Sequence, residues 1–323
     1  SSSLHNTGVK AAELLERCRW KLAQRFAVAP DQLIFTSGAT ESVHLAILGS
    51  AASHAPGRIV VSGVEHPAVL AAADQLKNKG WSVVFWPVDA MGLIRLEFME
   101  ELLDEPTRMV SLIAAQSEVG ALQPTALVGR ACRDRGITFH SDATQLIPQG
   151  CPEFNRFHSD LISLSAHKFQ GPRGIGLLIR DSSHPLVPVQ GGGGQEFGLR
   201  SGTEALALIA GMAQALSVLP AYHLSGDTIP PGSGPHVRRQ RDDLLEALLD
   251  IPGLSLLGPN VTQRSPNHIA VLVGSAEGQP LSARAMVREL ARRGVACSLS
   301  LIHISEPTRR RGISYAVVWV EKK

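Results

Sequence analysis

The chain has 323 residues, of which 44% are hydrophobic and 19% are charged, and its formal net charge is +2. A chain of this length can bury a sizeable core and is expected to form two domains. The small net charge gives no field that would attract nucleic acid or an anionic membrane, and no apolar run approaches the ~18 residues that span a bilayer.

The first part of the chain predicts helices and strands in alternation. Apolar residues recur at helical spacing over Val9–Phe26, which predicts a helix. Residues 31–51 and 57–80 each predict a strand, a glycine turn and a helix. Residues 81–89 predict a further strand, and residues 108–124 predict a buried strand that ends in a polar loop.

The next segments continue this alternation and bring polar residues to strand ends. Residues 125–136 predict a helix capped by Gly136, and residues 137–145 predict a strand whose far end carries Asp142. Residues 160–180 predict a strand, a tight loop and a return strand. The alternation implies a mainly parallel sheet with helices on both faces, and ligands of such sheets bind beyond the carboxyl ends of the strands.

The composition changes after residue 222. Residues 223–234 are rich in Gly, Pro and Ser and predict a connector, and residues 235–253 predict an amphipathic helix. The following patterns predict strand, strand, helix and strand, up to Ser298. We therefore expect a large domain over 1–222 and a smaller, incomplete α/β domain over 235–298.

Lys168, in "SLSAHKFQGPRGIGLLIR", is the first candidate for chemistry. It follows the apolar run "LISLSA", so we expect it to be desolvated enough to lose its proton, as an amine that condenses with a carbonyl must. Pyridoxal 5′-phosphate (PLP) is a carbonyl cofactor that also needs an acid facing its ring nitrogen, a cradle for its phosphate and a partner for its ring face. A surface lysine in a turn is the alternative reading.

Residues elsewhere in the chain supply candidates for each of these roles. Asp142 is a candidate acid or an ordinary helix cap. The stretch Thr36–Gly38, before a helix, is a candidate phosphate cradle or a simple capping box, and Ser165 and His167 could add donors to it. His66, in "VEHPAVL", is a candidate ring partner or a solvated side chain.

Taken in order, these segments resemble the cysteine desulfurases, which are class V aminotransferases of PLP fold type I. The matching stretches are "SSLHNTG", "IFTSGATES", "VEHPAVL", "SEVGALQP", "HSDATQ", "SLSAHKFQGPRGIG" and "GGGGQEFGLRSGT". The resemblance implies a large domain with a mainly parallel sheet of seven strands. It also implies a family N-terminal strand that this sequence does not contain.

The resemblance implies roles for matching positions. Lys168 would hold PLP covalently and later act as a base, Asp142 would face the ring nitrogen, Gln145 the ring hydroxyl, and His66 would stack on the ring and assist proton transfer. The phosphate would be held by Ala39, Thr40, Ser165 and His167. Thr203 would reach the phosphate of a partner subunit, so the active site would be shared in a homodimer.

The implied reaction converts L-cysteine to L-alanine and passes sulfur to an enzyme cysteine, for iron–sulfur clusters or thiolated tRNA. A sulfur-acceptor protein is the implied partner, and no metal site is implied. A different class V aminotransferase or a selenocysteine lyase-like enzyme is the alternative. Where the family has two Asn before the Glu of "SEVG", this chain has Gln116 and Ser117, and Ser117 is the candidate contact for the substrate carboxylate.

The end of the chain departs from the family. The sulfur-accepting cysteine would fall near His303, but the sequence there is "LSLIHISEPTR", which looks like a translated transposon-based sequencing adapter. We expect residues 299–323 to be a non-native tail and the chain as written to be inactive in persulfide formation. The four cysteines, Cys18, Cys132, Cys151 and Cys297, form no C-x-x-C pair, which is typical of a protein in the reducing cytoplasm.

Overall fold

The computed structural model describes residues 5–220, 235–274, 283–300 and 315–318. The predicted connector, His303 and most of the expected tail lie outside the described residues. The chain divides into two units, the first formed by Ser1–Pro87, Arg95–Ala114 and Pro124–Gly232. The second is formed by Val88–Ile94, Ala115–Gln123 and Ser233–Lys323. Two short segments of the predicted large domain thus belong to the second unit.

The first unit contains six helices and seven strands within the described part of the chain. The helices are α1 (Asn6–Phe26), α2 (Ala39–Ala51), α3 (Pro67–Lys77), α4 (Met99–Leu103), α5 (Thr125–Asp134) and α6 (Leu206–Ser217). The strands are β1 (Leu33–Thr36), β2 (Arg58–Ser62), β3 (Ser82–Trp86), β4 (Thr107–Ile113), β5 (Thr138–Asp142), β6 (Leu161–Ser165) and β7 (Gly176–Arg180). The predicted helices and strands occur in the predicted order, and α4 and α6 are further helices that the sequence analysis did not predict.

The seven strands form one sheet in the order β1-β7-β6-β5-β4-β2-β3. Strands β6, β5, β4, β2 and β3 are parallel to one another, and β7 runs antiparallel to both β1 and β6. The predicted return strand is therefore β7. The parallel strands β2, β4, β5 and β6 all end at the same edge of the sheet, so the residues that follow them are brought together there.

The core of the first unit follows from the apolar character of these strands. Strands β1, β5 and β6 are buried along their whole length, as expected for strands covered on both faces. Helix α2 is apolar nearly all round, and it packs on β6 and β7 and against α3. Helix α1 packs against α6. Helix α5 ends at Asp134, and Gly136 beyond it has a φ of +65°, in agreement with the predicted glycine cap.

The second unit contains α7 (Pro235–Leu249), α8 (Ala283–Arg292) and a second sheet. Its strands are β8 (Leu254–Leu256), β9 (Ile269–Val273), β10 (Ser298–Ser300) and β11 (Tyr315–Val318), in the order β10-β11-β9-β8 with antiparallel neighbours. Strand β11 comes from the segment that the sequence predicts to be a non-native tail. Among the described residues, no helix has the length and apolar character needed to cross a membrane.

Candidate active site

Asp142 lies at the carboxyl end of β5, in the middle of the polar edge of the first sheet. In the strand register it is opposite Ile113 of β4 and Ser163 of β6. Its side chain is 4% exposed, and Oδ1 accepts a hydrogen bond from the Thr144 amide at 3.0 Å. Asp142 thus accepts a hydrogen bond within its own turn and does not cap a helix, and it remains a buried acid.

Two basic side chains act on this buried acid. Burial raises the pKa of Asp142, whereas the hydrogen bond from Thr144 and the charges of His66 and Lys168 act to lower it. The net direction is upward because desolvation is the largest of these effects. His66 and Lys168 therefore lie close enough to Asp142 for their charges to matter, although they come from three different segments of the sequence.

Lys168 lies in a single 3-10 turn, Ala166–Phe169, directly after β6. The expected burial of its side chain is wrong, because Lys168 is exposed. The apolar run ends within the sheet, and in the turn beyond it only Ala166 and Phe169 are buried. An exposed amine at the open end of the strand can be reached by an incoming carbonyl compound.

The loop after Lys168 is tight because glycine allows the backbone to fold back on itself. The Gly171 amide donates to the Ala166 carbonyl at 2.9 Å, and a Cβ on Gly171 would lie 2.8 Å from the Ala166 Cβ. A Cβ on Gly176 would lie 2.5 Å from the backbone of Gly38, so the turn before α2 is held close against β7. These glycines bring the Lys168 loop and the start of α2 to the same edge.

The start of α2 has the features of an anion site. Gly38 precedes the helix and supplies no side-chain cap, and the first amides of a helix have no partner within it. Ala39 and Thr40 are the first two helical residues. Ser165 Oγ lies 3.8 Å from where a Gly38 Cβ would be, and it is 2.9 Å from His167 Nδ1. The structure therefore brings together the four predicted phosphate contacts.

The loop that carries Thr203 is tied to this turn by an ion pair. Arg200 Nε donates to Glu41 Oε1 at 2.7 Å, and Glu41 Oε2 accepts from the Ser37 amide at 2.7 Å. Burial alone would raise the pKa of Glu41, but Arg200 and Ser37 hold it below its usual value. Thr203, three residues after Arg200, is exposed.

His66 and Glu65 follow β2. His66 is exposed and caps α3, since its Nδ1 accepts from the Ala68 amide at 3.1 Å. Glu65 is 8% exposed, and its Oε1 accepts from Ser62 Oγ and from the Ile113 amide, each at 2.7 Å. Sequence reasoning did not identify Glu65, and the only local signal was its position beside His66.

Two further predicted residues have different surroundings. Gln145 is half-buried in the turn after Asp142. Ser117 belongs to the second unit, where its carbonyl oxygen lies 3.1 Å from His268 Nε2. Gln116, in the same loop, accepts hydrogen bonds from the amides of Glu118 and Val119, each at 2.7 Å.

Comparison with known proteins assigns the family. The aminotransferase class-V family matches residues 1–308. The cysteine desulfurase IscS 1 of Archaeoglobus fulgidus is 33% identical over 97% of this chain and 81% of that protein. The chain belongs to the cysteine desulfurase family.

Other members agree with this assignment. A solved structure titled NifS-like protein superposes with a TM-score of 0.86 and 29% identity, over 98% of this chain and 85% of that one. The mitochondrial cysteine desulfurase of Eremothecium gossypii is 34% identical over 87% of this chain and 56% of that protein. The chain thus spans about half the length of this curated relative. The match to fold type I confirms the predicted fold class.

The residues at the polar edge fit PLP, on which this family depends. The uncapped start of α2 suits a phosphate, the buried Asp142 suits a protonated ring nitrogen, and the exposed Lys168 suits an aldehyde. Within the described part of the chain, the buried Thr144 Oγ1 has no hydrogen-bond partner, so this site has polar capacity that the protein itself does not use.

Proposed function

We propose that this chain is the PLP-binding part of a cysteine desulfurase, which takes sulfur from L-cysteine and leaves L-alanine. One observation carries the proposal: an accessible lysine and a buried acid are within electrostatic range of each other, beside an uncapped helix N-terminus. In this family, that combination supports attachment of PLP to Lys168. When bound, PLP supplies an electron sink for bonds at the substrate α-carbon.

The side chains then have distinct tasks. Asp142 would keep the ring nitrogen protonated, because a buried carboxylate favours a positive charge beside it. Lys168 Nζ would move a proton at the substrate α-carbon. His66 would be the partner of the ring face, and the phosphate would be held by Ala39, Thr40, Ser165 and His167. Gln145 would hold the ring hydroxyl.

The environments of the four cysteines indicate whether any of them could accept sulfur from the substrate. Cys18, Cys132 and Cys151 are buried, and Cys297 is partly buried. Burial raises the pKa of all four thiols, that of Cys151 to about 12. A thiol must ionise to attack sulfur, so none of these four is activated as the nucleophile. We propose that the chain as written binds PLP but does not form a persulfide.

The same proposal includes a homodimer. Thr203 is exposed on a loop held by the Arg200–Glu41 pair, which supports the expectation that it contacts the phosphate of a partner subunit. A sulfur-acceptor protein is the second proposed partner. We propose a reducing compartment, the cytoplasm, because the cysteines show no disulfide framework.

Borohydride reduction tests the cofactor assignment. The purified chain with PLP should be yellow, and reduction followed by peptide mapping should find the cofactor on Lys168. Lys168→Ala should abolish this attachment, whereas Lys77→Ala, at an exposed lysine of α3, should not. Reduced cofactor on a different lysine would refute the site. Amino transfer to an added keto acid would refute the assignment to desulfurase chemistry. Alanine and sulfide from L-cysteine plus a thiol would refute the proposal that the chain as written does not form a persulfide.

A further inference from the structure

Glu65 has an unusual hydrogen-bonding environment for a buried glutamate. Its Oε1 accepts two hydrogen bonds, from Ser62 Oγ and from the Ile113 amide. Its Oε2 is buried and has no hydrogen-bond partner within the described part of the chain. A negative charge shared with Oε2 would have neither water nor a donor to stabilise it there, which is costly in a protein interior.

A second carboxyl group lies at the neighbouring strand end. Ile113, which donates to Glu65, is the register partner of Asp142, and the Ala114 amide donates to the Asp142 carbonyl at 2.9 Å. Two buried carboxyl groups this close do not both ionise readily, because each negative charge disfavours the other.

The surroundings of the two carboxyl groups decide which of them keeps its proton. Asp142 has the Thr144 amide and the charges of His66 and Lys168 to favour its ionised form. The groups that act on Glu65 are the hydroxyl and the amide of Ser62, the Ile113 amide and the negative charge of Asp142. Burial raises the pKa of Glu65 to about 8, and Asp142 adds to this rise.

We propose that Glu65 is a neutral carboxylic acid at neutral pH and acts as a positioning residue for the active site. It joins the end of β2 to β4 and so fixes the turn that carries His66. Because it is uncharged, it leaves the negative charge at this edge to Asp142. The positioning role rests on the proposed function, whereas the protonation state of Glu65 does not.

Unfolding measurements on Glu65→Gln test the protonation state. Gln keeps the shape and an accepting oxygen but cannot ionise. In the wild type the folded state holds the Glu65 proton up to about pH 8 and the unfolded chain releases it near pH 4.5, so stability falls as pH rises between these values. The folding equilibrium constant of Glu65→Gln relative to wild type should therefore rise from pH 6 to pH 8, by up to about tenfold per pH unit. A ratio that stays constant over this range would overturn the proposal.

A matched control is available in the same unit. Glu196 is also buried, but both its oxygens accept from the Arg19 guanidinium, at 2.6 and 3.0 Å. Glu196→Gln should lower stability at pH 6 and at pH 8 alike, because it leaves Arg19 without its counter-charge. Both variants should be measured on the full chain with excess PLP. A pH-dependent gain in Glu196→Gln as well would show that the gain is not specific to Glu65, and would overturn the proposal.

Infrared difference spectra and kinetics separate the two halves of the proposal. The wild type minus Glu65→Gln spectrum at pH 7 should contain the carbonyl band of a protonated carboxylic acid, and a carboxylate band there would refute it. Glu65→Ala should lower by at least tenfold the rate at which the PLP-loaded chain exchanges the α-hydrogen of L-alanine with deuterated water, a reaction that needs no cysteine nucleophile. Glu65→Gln should restore most of that loss, whereas no loss in Glu65→Ala would refute the positioning role. Failure of PLP to attach to Lys168 would instead refute the proposed function and leave the infrared result valid.

Discussion

Glu65 and Glu196 are two buried glutamates of the first unit with opposite electrostatic environments. They are 8% and 5% exposed, so burial does not distinguish them. Glu196 is matched by a bidentate guanidinium and by the Phe35 amide, which donates at 2.9 Å. Glu65 has only uncharged donors, the Ser62 hydroxyl and the amides of Ser62 and Ile113, and a neighbouring acid. The comparison teaches that the partner, and not the depth of burial, decides whether a buried carboxyl group is charged.

The two sites also differ in what they hold together. Arg19, on α1, donates to the Leu33 carbonyl at 2.7 Å and lies over the rings of Phe35 and Phe197, with its guanidinium carbon 4.6 and 5.0 Å from the ring centres. The Arg19–Glu196 pair thereby ties α1 and β1 to the loop that leads to Thr203. Glu65 joins two strand ends next to Asp142. The Arg19–Glu196 pair stabilises the fold, and Glu65 positions the strand ends beside Asp142.

Removal of Arg19 should give the largest effect. Arg19→Met keeps the apolar stem but leaves the Glu196 carboxylate buried without a cation. We expect a loss of about 3–5 kcal/mol in the free energy of unfolding, measured by urea denaturation. Arg19→Met combined with Glu196→Gln should recover part of the loss, because the amide oxygen can still accept from Phe35. A loss below about 1 kcal/mol in the single variant would mean that the pair is not the source of stability.

Much of the fold at this edge was predictable, but the partners of these two glutamates were not. Apolar runs followed by polar loops place Asp142 at the end of a strand, and the structure has it there. Glu65 and Ile113 are 48 positions apart, and Arg19 and Glu196 are 177 apart, so no local pattern reveals either contact. For Lys168 a local pattern was extended too far. The apolar run before it predicts a buried strand, but it gives no information on the burial of the turn that follows, in which Lys168 is exposed.

His140 extends the comparison to a buried base and should give the next largest effect. It is fully buried on β5, where its ring bridges Ser111 Oγ of β4 at 2.8 Å and Ser163 Oγ of β6 at 3.1 Å. Burial lowers the pKa of His140 to about 3. The unfolded chain therefore binds a proton below about pH 6.5 that the folded protein does not, and stability falls as pH falls from 6.5 towards 3.

His140→Gln isolates this contribution. It keeps a polar side chain between the two serines but cannot bind the proton. Between pH 7 and pH 5 the wild type should lose about 2 kcal/mol more stability than the variant, since each unit between pH and pKa corresponds to about 1.4 kcal/mol. Equal losses in the two proteins, measured by urea denaturation at both pH values, would show that His140 is not held neutral by its surroundings.

Glu41 separates the effect of burial from the effect of the partner's charge, because it is paired with a cation but is only partly buried. The side chains of Glu41 and Arg200 are 25% and 23% exposed, so solvent screens their attraction. Glu41→Gln should lower the free energy of unfolding by about 0.5–1 kcal/mol at pH 7, the smallest effect of the series.

The pKa of Glu41 is held below its usual value, so the stability it adds is present above about pH 4.5 and is lost as pH falls further. The difference between wild type and variant should therefore shrink when unfolding is measured at pH 4 instead of pH 7. A difference that is the same at both pH values would show that the ion pair with Arg200 is not its source. A partial loss of this size would place Glu41 between Glu65 and Glu196, as expected if burial sets the scale of a charge effect and the partner sets its sign.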